Sequence, residues 1–302
     1  MRVLISGASG MIGSALARSL RDGGHAVMRL ERGGTSDAGR VAWDPLAGTI
    51  DRAGLANLDA VVHLAGENIS SGRWSDEKKA RIRHSRVDGT RLLVQALTEL
   101  DTPPATLITA SAVGYYGNRG EAVLDEDSPA GEDFLAKVCV DWEAATAPAR
   151  EAGIRVVNLR IGMVLDPAGG ALARMLPLFR AGLGGRVGGG AQYVSWVTLR
   201  DLVGAIRHCL EHIDLDGAVN AVAPQPVTQA ELARALGCAL RRPVLVPVPA
   251  LAIRLALGEQ GEALLLASAR IRPARLEASG YAFADREIGP ALARLCGTRS
   301  GS

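Results

Sequence analysis

An α/β fold, with a doubly wound parallel sheet and a small, mostly helical C-terminal lobe, is predicted from two observations. Apolar strand-like runs alternate with helical stretches through the first two thirds of the chain, the rhythm of a parallel sheet covered on both faces. A glycine turn, Gly7-Ala8-Ser9-Gly10-Met11-Ile12-Gly13, joins the first apolar run, Val3-Leu4-Ile5-Ser6, to a helix over 14–20. Gly7 lets the chain reverse, Gly10 lets backbone N–H groups approach a pyrophosphate, and Gly13 lets the helix pack close to the strand. Ser9, Met11 and Ile12 stand in the same turn, at the positive end of the helix dipole. A strand before and a helix after are the context that makes a glycine triplet a dinucleotide signal.

Further elements follow in order. Gly23-Gly24 ends the first helix, and 26–30 reads as the second strand. A short strand around 41–43 comes after Gly33-Gly34, and the apolar run 60–65 ends in Gly66, as a central strand feeding a ligand loop does. Residues 75–100 form a long helical stretch; 106–110 and 156–160 read as strands with one helix, about 134–151, between them. Past Leu165 the pattern changes, to a glycine cluster over 182–190, a strand over 193–197, a helix over 199–212 and proline-punctuated helices from Pro224. The expected division is a nucleotide-binding domain over 1–222, in which 163–192 crosses toward the substrate side, and a lobe over 223–302 above the sheet's carboxyl edge.

Composition narrows the classes. The chain has 302 residues, 48% hydrophobic and 22% charged, enough apolar material for a large core. A net charge of +2 offers no electrostatic case for nucleic acid or an anionic membrane, and no apolar run reaches spanning length. The start of the chain leads into a strand without signal-peptide regions, and Cys139, Cys209, Cys238 and Cys296 show no metal or redox spacing. A cytoplasmic protein with reduced thiols and no metal is the expectation. Asp125-Glu126-Asp127-Ser128-Pro129 reads as a solvated loop or helix cap, and His63, in an apolar strand, as a satisfied buried histidine.

Ser6-Gly7-x-x-Gly10-x-x-Gly13 and His63-Leu64-Ala65-Gly66 resemble the extended short-chain dehydrogenase/reductase superfamily, whose nucleotide domain is a Rossmann fold. Trp43-Asp44-Pro45, Gly66-Glu67-Asn68-Ile69, Arg73-Trp74, Ser85-Arg86, Asp141-Trp142-Glu143, Asn220-Ala221-Val222-Ala223-Pro224 and Gly280-Tyr281-Ala282-Phe283 place the resemblance in an atypical branch of NAD(P)-dependent epimerase-family proteins with its own C-terminal domain. The resemblance implies a nicotinamide dinucleotide, a small-molecule substrate and a homodimer built through the long helices. Leu64, Ala65 and Gly66 would pass under the adenosine and pyrophosphate. Glu67 would reach a ribose, the substrate or only its own loop, and Ser85-Arg86 matches a second phosphate contact. Arg32, ending the second strand, implies NADP(H) by pairing with a 2′-phosphate. Glu31 beside it keeps NAD(H) open, because a carboxylate near that phosphate is costly unless it turns away.

Ordinary members carry a tyrosine, and a lysine four residues on, in the helix after the fifth strand. A serine ends that strand. Here Ser111 stands correctly and Tyr115-Tyr116-Gly117 follows, but neither register of the helix supplies the tyrosine: counting from Lys137 gives Asp133, and anchoring on Glu143 gives Cys139 and Leu135. One reading keeps the chemistry of an oxidoreductase or epimerase, with Ser111, Tyr115 (or Tyr116) and Lys137 as substitutes. Another is a redox sensor that binds NADP(H) without turnover. Tyr193, Ser195 and Trp196 would join a substrate cleft, or only pack the lobe.

Overall fold

The computed structural model describes residues 1–37 and 39–297, so 298–302 of the expected lobe lie outside the described residues. The chain divides into two compact units. One comprises Met1–Tyr115, Phe134–Arg160 and Val203–Val219; the other comprises Tyr116–Asp133, Ile161–Leu202 and Asn220–Ser302.

An eight-stranded sheet belongs in the main to the first unit. Its strands are β1 (Arg2–Ser6), β2 (Ala26–Arg32), β3 (Arg40–Asp44), β4 (Thr49–Ile50), β5 (Ala60–His63), β6 (Thr106–Ala112), β7 (Arg155–Ile161) and β8 (Gly217–Ala221), in the order β8-β7-β6-β5-β1-β2-β3-β4. β1 pairs in parallel with β2 on one side and β5 on the other, so the winding reverses at β1. Ligands of open α/β sheets bind at the carboxyl ends of such a reversal. Here those ends are Ser6 and His63, which face each other in register. β4 went unread in the sequence, because two residues running antiparallel to β3 carry no periodic signal.

Helix α1 (Met11–Asp22) buries Gly13, Leu16, Ala17 and Leu20, a spacing that puts one stripe on the sheet. Helix α2 (Asp76–Thr98) starts at Ser75, whose hydroxyl accepts from Lys78 N. Its Leu93 and Leu97 share a core with Leu4, Leu30, Trp43 and Val61. The single helix expected over 134–151 is two, α3 (Phe134–Ala144) and α4 (Ala147–Glu151). Pro148 is the cause: it has no N–H to continue the ladder, and its ring would meet the carbonyl of Ala144.

In the second unit the helices Gly170–Arg180, Gln229–Leu240 and Ile288–Cys296 enclose Leu172, Phe179, Trp196, Leu232, Leu236 and Leu292. Thr228 and Glu231 form a reciprocal cap at the start of the second of these helices. The strand expected over 193–197 is split, with Tyr193–Val194 against Val227–Thr228 and Trp196–Thr198 against Met163–Asp166. Ser195 makes the break, its hydroxyl donating to Ala269 O at 2.8 Å and accepting from Ile271 N at 3.0 Å. Among the described residues no helix is long and apolar enough to cross a membrane.

Among the described glycines of the first unit the least room is at Gly13, where a methyl group would lie 2.2 Å from Gly7 O and 2.8 Å from Ala8 Cα. Both are backbone, so neither can swing aside. Gly13→Ala is expected to lower stability by about 1–3 kcal/mol in urea denaturation, in the range of an overpacked core. A change below about 0.5 kcal/mol, the usual scale of a surface substitution, would contradict the packing.

Candidate functional site

The carboxyl ends of β1 and β5 are joined by one hydroxyl. Ser6 Oγ accepts from Leu64 N at 3.0 Å and Ala65 N at 3.1 Å, which uses both of its lone pairs. Its own proton therefore goes to His63 Nδ1, 2.6 Å away, and the imidazole carries its proton on Nε2. Only half of the sequence expectation for His63 holds, since buried Nε2 makes no hydrogen bond among the described residues. The ring lies edge-to-face with Trp43, centroids 5.9 Å apart. Burial pushes the His63 imidazole down to about 4.

The glycine turn rests on this clasp. Gly7 has φ +67°, and a Cβ there would come 3.0 Å from the carbonyl of Leu64. Gly10 N donates to Gly7 O at 3.0 Å, and α1 then begins with no side-chain cap and no acid in its first turn. The amides of Met11, Ile12 and Gly13 thus open the helix beside Ser9, with no carboxylate there to compete for them. Three positions where a Cβ would meet backbone form a cradle that a diphosphate fits.

The end of β2 resolves the charge conflict. Strand alternation puts Glu31 and Arg32 on opposite faces, with Arg29 on the side of Glu31. Glu31 pairs with Arg29 at 3.2 Å through one oxygen and with Arg40 at 3.3 Å through the other. The carboxylate is thus turned to two guanidinium groups, and Arg32 stands exposed beyond it.

After β5 the loop is held to α2. Glu67 N donates to Ser85 Oγ at 3.0 Å, and Glu67 Oε1 accepts from Lys78 Nζ at 2.6 Å. Lys78, buried against the usual habit of lysine, also donates to Ser71 Oγ at 3.0 Å and holds the Glu67 carboxyl below the ordinary carboxylate range. Glu67 is thereby a loop tie, and Asn68 closes its own turn by accepting from Ser70 N. Arg86 is half-buried beside Gly66, where a Cβ would lie 3.3 Å from its Cζ.

At the end of β6, Ser111 Oγ donates to Glu143 Oε1 at 2.7 Å. Arg160 grips the same carboxylate with two bonds, both 2.9 Å, and its guanidinium lies over the Tyr115 ring at 3.4 Å from the centroid. Ser111 and Tyr115 are therefore brought together. Lys137 is not: it falls on the exposed face of α3 with Val140 and Ala144. Tyr116 is fully buried, its hydroxyl donating to Asn220 Oδ1 at 2.7 Å. Sequence reasoning missed Arg160, although an arginine in the mostly apolar strand 156–160 needs a buried anion, and that was the signal.

In the second unit, Trp196 is fully buried with its indole N–H on Gln225 O, and Ser195 is tied to backbone, so both pack the unit. Tyr193 lies under the guanidinium of Arg270. Glu126 is not solvated as the sequence suggested. It is buried, accepts from Asn220 N and Arg275 N, and its carboxyl is raised above the ordinary range by burial. Asp127 pairs with Arg275 and Asp125 accepts from Ser128 Oγ, so each acid has its own local partner.

Comparison with known proteins matches residues 3–222 to the family described as "NAD dependent epimerase/dehydratase family" and 248–295 to a domain of unknown function, DUF1731. The chain is similar to epimerase family protein MT2273 of Mycobacterium tuberculosis, with 47% identity over 96% of each chain. It is similar to a crystal structure of human epimerase family protein SDR39U1 (isoform 2) with NADPH, at 37% identity and a TM-score of 0.90, covering 98% of this chain and 99% of that one. A nucleoside-diphosphate sugar epimerase from Corynebacterium glutamicum is also similar, at 37% identity and TM-score 0.82, covering 98% of this chain and 58% of that longer one.

The His63 clasp has a pH signature. Its folded pKa lies at about 4, below the ordinary imidazole value of 6.5, so the unfolded chain binds the proton first as the pH falls. The neutral ring contributes nothing above pH 6.5, and stability is lost between there and about 4, up to about 3 kcal/mol. His63→Asn, which keeps an acceptor for Ser6, is expected to flatten that part of the stability–pH curve. An unchanged curve in the variant would show that His63 is not its source.

Proposed function

The chain belongs to the NAD dependent epimerase/dehydratase family, and from that membership we propose that it binds NADP(H) at the β1/β5 reversal and works as an oxidoreductase or epimerase on a hydroxyl- or carbonyl-bearing small molecule. Two features support the cofactor. The cradle of Gly7, Gly10 and Gly13 fits a diphosphate, and human SDR39U1 is a similar protein solved with NADPH. The observation that carries the preference for NADP(H) is the neutralised Glu31. With both oxygens on Arg29 and Arg40, it leaves Arg32 to meet a 2′-phosphate.

When bound, the nicotinamide ring supplies or accepts a hydride. The residues of the chain handle the proton. Ser111 donates its hydrogen to Glu143, so its oxygen presents lone pairs and accepts from a substrate hydroxyl. Arg160 fixes Glu143, and through it Ser111, while Tyr115 supplies the phenol that the α3 helix lacks. Lys137, on the outer face of α3, has no part in it. The name of the similar Corynebacterium glutamicum protein points to a nucleoside-diphosphate sugar as the first substrate class to try.

Fluorescence titration with NADPH and NADH is the test of the cofactor. Arg32→Ala is expected to weaken NADPH about tenfold, or about 1.4 kcal/mol, and leave NADH nearly unchanged. Equal weakening of both would remove Arg32 from the 2′-phosphate. A carbonyl panel followed at the nicotinamide absorbance tests turnover, with Ser111→Ala and Tyr115→Phe each expected to abolish it. Tight NADPH binding with no oxidation by any substrate would instead favour a redox sensor.

A further inference from the structure

In the second unit, segment 243–249 carries Pro243, Pro247 and Pro249 and forms no helix or strand. Proline has no N–H, so three of its seven positions cannot donate to a ladder. The segment lies instead along the glycine cluster of 182–190. Val248 N donates to Arg186 O and Gly188 N to Val248 O, both at 2.8 Å. At Gly185 a Cβ would fall 1.5 Å from Val246 O, and at Gly237 one would fall 2.3 Å from Val244 Cγ2. These positions are glycine because another stretch of chain runs against them.

Held in this way, the chain presents apolar side chains to solvent. Leu245 is 77% exposed, and Val246 and Val248 are exposed beside it. The helix Ala250–Leu257 extends the same surface. Its Ile253 is buried against Gly261, where a Cβ would lie 2.6 Å from Ile253 Cγ2. Leu251 and Leu255, two positions to either side, therefore face away from that contact and are 65% and 71% exposed. Four residues apart, they form one ridge. A single exposed leucine is ordinary, but apolar side chains gathered at 245, 246, 248, 251 and 255 mark an interaction surface.

The charge beside the ridge is mostly of one sign. A shallow recess of about 570 Å³ is lined by Arg234, Arg241 and Arg242, and Val244 joins its wall to the apolar segment. Arg186 is exposed where the chain meets Val248. Among the described residues Arg186, Arg241 and Arg242 make no ion pair. Arg234 acts on the charge of Glu231, which itself caps Thr228. Glu262 is taken by Arg254 at 2.7 Å, and Glu259 is engaged as well. A second copy of the chain would bring more arginines to this surface, whereas an acidic partner would complement it.

We propose that this surface, at the start of the stretch matched to DUF1731, docks an acidic amphipathic helix of a partner protein. The apolar face of that helix packs on the ridge of Leu251 and Leu255, and its carboxylates meet Arg234, Arg241 and Arg242 in the recess. The docking stands apart from the cofactor assignment.

Fluorescence anisotropy tests it, with a labelled synthetic amphipathic helix of leucine and glutamate and the same helix with lysine in place of glutamate. The acidic peptide is expected to bind about tenfold tighter than the basic one, and to weaken as salt is raised. Arg241→Glu with Arg242→Glu, and separately Leu251→Ser with Leu255→Ser, are each expected to weaken it about tenfold at an unchanged melting temperature, because all four side chains are exposed. Equal binding of the two peptides, no binding of the acidic one, or binding that survives both double variants would overturn the proposal. A concentration-dependent dimer in sedimentation, abolished by Leu251→Ser with Leu255→Ser, would overturn it in favour of a second copy. Flotation of the protein with phosphatidylserine vesicles, abolished by the same pair, would overturn it in favour of a membrane surface.

Discussion

Ser6 Oγ sits where the sheet's winding reverses between β1 and β5, and three hydrogen bonds converge on it. Two come from the amides of Leu64 and Ala65, and the third goes to a histidine sealed in the core. A loop leaving a parallel strand has amides that the ladder no longer satisfies, and leaving them buried and unbonded is costly. Ser6 answers that need and, in doing so, sets the height of Leu64 under Gly7. The glycine turn, the start of α1 and the loop to Glu67 all take their positions from this clasp. A larger or apolar residue at position 6 would leave two amides and an imidazole without partners.

Around that point the protein distributes its buried cations unevenly. Lys78 is matched by Glu67 and Arg160 by Glu143, so each is neutral as a pair and serves to hold a loop or a hydroxyl in place. Half-buried Arg86 is bonded to a carbonyl and lies against an indole face and a glycine, with the Glu67 carboxylate acting on it without a direct pair among the described residues. A matched pair contributes geometry, while an unmatched charge contributes affinity for an anion or a polar ligand. Glu31 shows the same logic on the other side of β1, where Arg29 and Arg40 cancel a carboxylate that would otherwise repel a phosphate. Burial keeps Cys139 and His63 uncharged.

What was legible in the sequence is what neighbouring residues determine. The strand–turn–helix at 3–20, the alternation of strands and helices, and the position of Ser111 follow from period and from glycine placement, which are local. Long-range partners were not legible. Nothing beside Glu31 in sequence shows that Arg40 arrives from β3, and nothing beside Glu143 shows that Arg160 arrives from β7. Lys137 was chosen by its distance in sequence from a missing tyrosine, and the helical phase of α3 then turned it outward. Pro148 was readable as a helix break and was passed over.

The central claim is that the turn over 7–13 holds the diphosphate of a nicotinamide dinucleotide at the β1/β5 reversal. A crystal structure of the protein soaked with NADPH tests it most directly. The diphosphate is expected against the amides of Met11, Ile12 and Gly13, with the 2′-phosphate at Arg32. Density for the dinucleotide at another place, or none at a saturating concentration, would contradict it.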